Sequence, residues 1–141
     1  MLAGRELKML SDRAAIHDLM VRYHQAVDRR DWGGIARCSN SDAVVEYGGL
    51  VKNGPAEIVG YIQSIDQWPV SYHFKGNHLV TDLVDGTASA ETYTVPLIRF
   101  GEEAADLVTS FGDVDKLMCQ DGDWRTWSRV MVRTWIRCDP I

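Results

Sequence analysis

The side chains of this sequence that could move a proton are Tyr23, His24, Asp28, Tyr47, His73, His78, Asp113 and Arg129. An imidazole titrates near neutrality, and a carboxylate beside it fixes its tautomer and stabilises the imidazolium, so a histidine–acid pair is a simple general base. Pattern alone does not choose the histidine. Strict alternation over residues 70–84 groups His73 with Lys75, Asn77 and Leu79, and His78 with Tyr72, Phe74 and Val80. The second set is the more apolar, which sends His78 inward and His73 outward. His24 and Asp28, four apart on a helix, read as a solvated pair. Tyr23 shares the apolar stripe of Leu19 and Val27, so its ring reads as buried, with a hydroxyl that needs a partner. Asp113 reads as a solvated strand acid.

Other chemistries lack their motifs. No His-x-x-x-His pair is present, and Cys38, Cys119 and Cys138 are far apart, so the thiols read as free and buried rather than as metal ligands or a disulfide framework. Gly33-Gly34 and Gly48-Gly49 have neither the spacing nor the strand-to-helix setting of a dinucleotide site, and there is no G-x-S-x-G elbow. The sequence therefore gives no reason to expect a cofactor or a metal.

The elements that must position these groups are legible. Apolar residues from Ala14 to Val27 recur at three- and four-residue spacing, giving an amphipathic helix from Ser11, a plausible N-cap, to about Arg30. A short helix through Ile35 to Cys38 and a strand from Ala43 to Tyr47 follow, with a hairpin-like return through Leu50 and Val51. Gly54-Pro55 opens a second clear helix. Four strands, about 70–84, 87–99, 105–119 and 124–138, are separated by Asp85-Gly86, Gly101-Glu102-Glu103 and Asp121-Gly122. Connections that short join antiparallel neighbours. Helices followed by a meander predict an α+β domain, with helices on one face of a curved antiparallel sheet. On the last strand, Trp127, Arg129, Met131, Arg133 and Trp135 share a face by alternation, which suits an oligomer interface.

Composition sets the outer bounds. At 141 residues, 45% hydrophobic and 25% charged, the chain reads as one globular domain over residues 1–141. Its 15 basic against 20 acidic residues give a net charge of −5, which disfavours a nucleic-acid partner. No apolar run approaches the ~18 residues of a membrane span. The first residues lack a signal-peptide core, so no membrane association and a cytoplasmic location are expected.

Several of these segments together resemble the SnoaL-like family of the nuclear transport factor 2-like superfamily, in the branch of scytalone dehydratase and bile-acid 7α-dehydratase. They are Ala14–Leu19 with Tyr23 and Ala26–Trp32, then Val45-Glu46-Tyr47, His73-Phe74 with Gly76-Asn77, and Asp121-Gly122 with Trp124-Arg125, across residues 10–137. The resemblance implies a cone of about three helices on the concave face of the sheet, enclosing a ligand cavity. It implies an Asp28–His73 dyad with His73 as base, against the periodicity preference for His78. Tyr23 and Tyr47 are the implied hydrogen-bond donors, and Val27, Leu97, Asp113 and Arg129 the implied substrate contacts. Val27 and Leu97 stand where scytalone dehydratase has a tyrosine and a histidine, so that enzyme's full constellation is not implied. The implied activity is a cofactor-independent lyase, a dehydratase of a small, apolar, cyclic or polycyclic hydroxy compound, in a dimer or trimer. An isomerase using the same base, or a non-catalytic ligand-binding or assembly module resembling the small subunit of ring-hydroxylating dioxygenases, are the alternatives.

Overall fold

A computed structural model describes residues 2–101 and 106–139. Helix α1 (Leu2–Asp28) is followed by α2 (Trp32–Arg37), β1 (Ser39–Tyr47), β2 (Leu50–Asn53), α3 (Gly54–Ile62) and a 3₁₀ turn (Gln63–Gln67). Four long strands complete the chain: β3 (Val70–Val84), β4 (Thr87–Arg99), β5 (Asp106–Gln120) and β6 (Asp123–Asp139). They form one curved α+β sheet in the order β2-β1-β6-β5-β4-β3. The meander β3–β6 is antiparallel as the turns require, and β6 closes against β1 in parallel. Residues 102–105, which include most of the turn read between the middle strands and Ala105, lie outside the described residues.

Helix α1 starts at Leu2 rather than at Ser11. Apart from Gly4, its first turns are built of good helix formers, and they project into solvent, with Leu2, Leu7 and Leu10 80%, 70% and 65% exposed. Ser11 is therefore an interior helical residue. The apolar stripe begins where the helix meets the sheet: Ile16, Leu19 and Met20 pack with Val80, Ala88, Ala90, Leu117 and Trp124. Further along, Ala26 and Val27 join Ile35, Ala43, Val45, Ile58 and Ile62 in a second cluster. Tyr23 touches both clusters.

β-Bulges decide what faces inward. On β3, Lys75 pairs with Thr94 but His78 pairs with Thr92, so three steps of one strand match two of the other. The extra residue inverts the alternation, and His73 and His78 both turn to the helix side, with His78 bonded to the buried Thr92. Two further shifts on β6 split the expected Trp–Arg face. Arg129 is buried and Met131 and Arg133 line a cavity, whereas Trp127 and Trp135 are about half exposed on the outer side. β4 alternates without a break near its end, so Pro96 and Ile98 point inward and Leu97, 43% exposed, lies on the outer face instead of contacting a ligand inside. Of the thiols expected to be buried, Cys38 is; Cys119 is half-buried, and Cys138, near the end of β6, is exposed.

The boundary between solvated and packed helix is testable. Ile16→Ala should lower the urea unfolding free energy by about 2–5 kcal/mol, and Leu7→Ala should change it by less than about 0.5 kcal/mol. Equal effects would mean that the first turns of α1 are packed.

Candidate active site

The site begins where α1 ends. Asp28 is the last residue of the helix, and the chain turns back through Asp31 N–H to Ala26 C=O at 2.9 Å, with Arg30 left-handed at φ 56°. That conformation costs roughly 1–2 kcal/mol for a residue with a Cβ. It also aims the Arg30 guanidinium, which donates to Asp28 C=O at 2.9 Å, to Ser71 Oγ at 2.6 Å and to Trp68 C=O at 2.9 Å. These bonds tie the start of β3 to the end of the helix. The Asp28 carboxylate then accepts the His73 backbone N–H at 2.9 Å through Oδ2 and the ring Nδ1 at 2.6 Å through Oδ1. Burial pulls the Asp28 pKa up, but the hydrogen bonds and charge of His73 outweigh it and hold the carboxyl below its usual value. An ionised carboxylate only accepts, so the neutral ring donates from Nδ1 and its Nε2 carries the free lone pair.

His73 is a wall residue of two spaces. On the inside it meets a cavity of about 160 Å³ with Val27, Tyr47, Tyr61, Trp68 and Phe111 among its lining. On the outside it borders, with His17, His24, Asp28 and Lys75, a cleft between α1 and β3. Tyr47 stacks on Tyr61 at 4.2 Å between ring centroids. Its hydroxyl is buried without a hydrogen-bond partner of good geometry, and Tyr23 and Arg129 are its polar neighbours. Burial pushes the Tyr47 and Tyr23 phenols up, which keeps both as donors.

Beneath the cavity lies a buried polar layer. The Arg129 guanidinium donates to Asp115 at 2.7 and 3.2 Å and lies 4.4 Å over the Tyr23 ring. Asp113, 2% exposed, places Oδ2 3.9 Å from Arg129 Nε and 4.0 Å from His24 Nε2. Two carboxylates thus face one guanidinium. Burial pushes the Asp113 carboxyl up to about 7 despite Arg129, and the charge of Asp115 adds to the rise. His24 donates from Nδ1 to Met20 C=O at 2.9 Å and accepts from Thr94 Oγ1 at 3.3 Å. Burial, Arg129 and His73 lower its pKa to about 3, so it is neutral, and it stacks 6.0 Å from His73.

Asp28, His73, Val27 and Tyr47 therefore converge, while Tyr23, Asp113 and Arg129 stand one layer below and Leu97 lies outside. Neither His24 nor Asp113 is a solvated group. His24 turns into the helix–sheet interface, and Asp113 shares the inner face of β5 with Asp115, opposite Arg129. His78 faces inward five residues further along β3, bonded to Thr92 Oγ1 at 2.8 Å, its pKa lowered by burial to about 4. Sequence reasoning missed Arg30, Ser71 and Asp115. The i, i+2 acids 113 and 115 facing an arginine across a hairpin were the available signal for Asp115. Among the described residues, no group of three His, Cys, Asp or Glu is placed to hold a metal ion.

The SnoaL-like domain family matches residues 8–130. An uncharacterized protein of Mycobacterium tuberculosis is 30% identical over 126 residues, which is 86% of this chain and 84% of that protein. Among solved structures, a protein of Novosphingobium aromaticivorans provisionally named a scytalone dehydratase superimposes with a TM-score of 0.85 at 18% identity, covering 94% of each chain. The hexachlorocyclohexane dehydrochlorinase LinA-type3 of Novosphingobium barchaimii gives 0.85 at 19% identity, covering 94% of this chain and 93% of its own. Both likenesses show the cone fold.

The raised Asp113 pKa has a signed consequence. The folded protein holds a proton there that the unfolded chain releases near pH 4, so this group's stabilisation is full below that value and lost as pH rises through about 7. Urea unfolding of Asp113→Asn and the unaltered protein should therefore diverge with pH, the variant gaining relative stability from about pH 4 to 7. A constant difference would mean that Asp113 is ionised throughout.

Proposed function

The chain belongs to the SnoaL-like domain family, and on that premise we propose that it is a cofactor-independent lyase of the cytoplasm, a dehydratase of a small, apolar, cyclic or polycyclic hydroxy compound. The observation that carries this reading is the 2.6 Å Asp28–His73 hydrogen bond, with His73 on the wall of a cavity that Tyr47, Tyr61 and Phe111 also line. His73 Nε2 takes a proton from carbon; Asp28 holds the ring and stabilises the imidazolium. The electron pair of the broken C–H bond forms the new double bond, and the hydroxyl leaves as water after receiving a proton. Tyr47, buried with an unpartnered hydroxyl on the same cavity, is the donor nearest the substrate, and Tyr23 supports it from below. Val27, Phe111 and Met131 supply an apolar lining suited to a hydrocarbon ring.

Isomerisation by the same base is the second reading: His73, on the cavity wall, can return the proton it has taken to a different carbon of the substrate. The meeting of Asp28 and His73 favours either chemistry over a purely structural role. The outer face of the sheet, where Tyr72, Phe74, Tyr93, Leu97, Val132 and Trp135 stand exposed, supports a homo-oligomer, a dimer or a trimer.

His73→Ala and Asp28→Asn should each lower turnover of a substrate found by screening about 10²–10⁴-fold, with the circular dichroism spectrum unchanged. Undiminished turnover in either variant would remove the dyad from the mechanism. Sedimentation of the unaltered chain should give a dimer or trimer, and Tyr93→Glu combined with Val132→Glu should give a monomer. A monomeric unaltered chain would leave the apolar outer face unexplained.

A further inference from the structure

A pocket of about 370 Å³ opens on the face of α1 opposite His24 and Asp28, and its walls are rich in arginine. Arg22, Gln25, Ala26 and Arg29, spaced i, i+3, i+4 and i+7, form one wall. Arg37 of α2 and Arg125 of β6 form the others, and the bond from Thr126 N–H to Cys38 C=O at 2.9 Å fixes α2 against β6. Four guanidinium groups thus surround one pocket in a chain whose net charge is −5.

The acids present do not neutralise them. Asp31 caps α2 through Gly34 N–H at 2.8 Å and lies 3.7 Å from Arg37. Asp123 at the rim is in no ion pair, and among the described residues Arg22, Arg29 and Arg125 make no side-chain hydrogen bond or ion pair. Exposed like charges are screened by water and salt, so the cluster costs little when empty, and its unpaired guanidinium donors are available to an anion. We propose that the pocket binds a small organic phosphate, with the phosphoryl oxygens on Arg22, Arg29, Arg37 and Arg125 and the organic part against Leu19, Ala26 and Trp124. Guanidinium forks match phosphoryl oxygens two at a time, and the pocket is larger than a phosphate alone needs. This site is separate from the His73 cavity and does not rest on the lyase reading.

Calorimetric titration of the whole chain with orthophosphate, pyrophosphate and adenosine diphosphate, in chloride at physiological ionic strength, tests it. Saturable binding at one site per chain is expected, tighter for the two diphosphates than for orthophosphate. Arg22→Gln and Arg125→Gln should each weaken it about tenfold or more, with urea unfolding unchanged, and His73→Ala should leave it unaltered. Binding of the inorganic ions without the nucleotide would keep the phosphoryl site and make free phosphate its occupant. No saturable binding of any of the three, or binding that survives the combined Arg22→Gln and Arg125→Gln change, would overturn the proposal.

Discussion

One carboxylate joins the helix layer to the sheet at the candidate site. Asp28 accepts both the backbone N–H and the ring N–H of His73, so the same contact that docks β3 on the end of α1 also sets the orientation of the imidazole. The helix must end at Asp28 for this to happen, and the left-handed Arg30 that ends it bonds Ser71 and Trp68 C=O at the start of the strand. Arg30 acts on the His73 imidazole only through this placement, as a positioning residue. Local strain at the turn is offset by the hydrogen bonds that the strained conformation makes reachable.

The polar layer under the cavity follows a different logic. Burying Asp113, Asp115, Arg129 and His24 between a helix and a sheet is costly for each alone. The layer holds because Arg129 is bidentate to Asp115, His24 stays neutral and Asp113 takes up a proton as pH falls through about 7. The result is a buried polar layer without a fixed excess of negative charge at neutral pH.

The sequence made the fold legible because its signals are local. Pro55 at the start of α3 and the Asp85-Gly86 and Asp121-Gly122 pairs, all with positive φ at the aspartate and the glycine, sit where the turns need them, and β3 and β4 end where their turn chemistry says. The inward set was less legible because it depends on register. An extra residue between Lys75 and His78 has no signature in a period of two, so alternation separated two histidines that the bulged strand turns to one side. The same blindness grouped Trp127 and Trp135 with Arg129, and the resemblance carried Leu97 inward although unbroken alternation on β4 turns it out. Asp28 and His73, paired by family likeness, lie 2.6 Å apart. Residues fixed by three-dimensional pairing, Asp113 with Asp115 and Arg129, needed the coordinates.

The tautomer of His73 is the most direct measure of the Asp28 pairing, and nitrogen-15 NMR of the labelled ring reads it. In the neutral ring the proton should reside on Nδ1, with Nε2 showing a free lone pair, and this preference should vanish in Asp28→Asn. A neutral ring protonated on Nε2, or a spectrum indifferent to Asp28→Asn, would contradict the pairing and with it the assignment of His73 as the base.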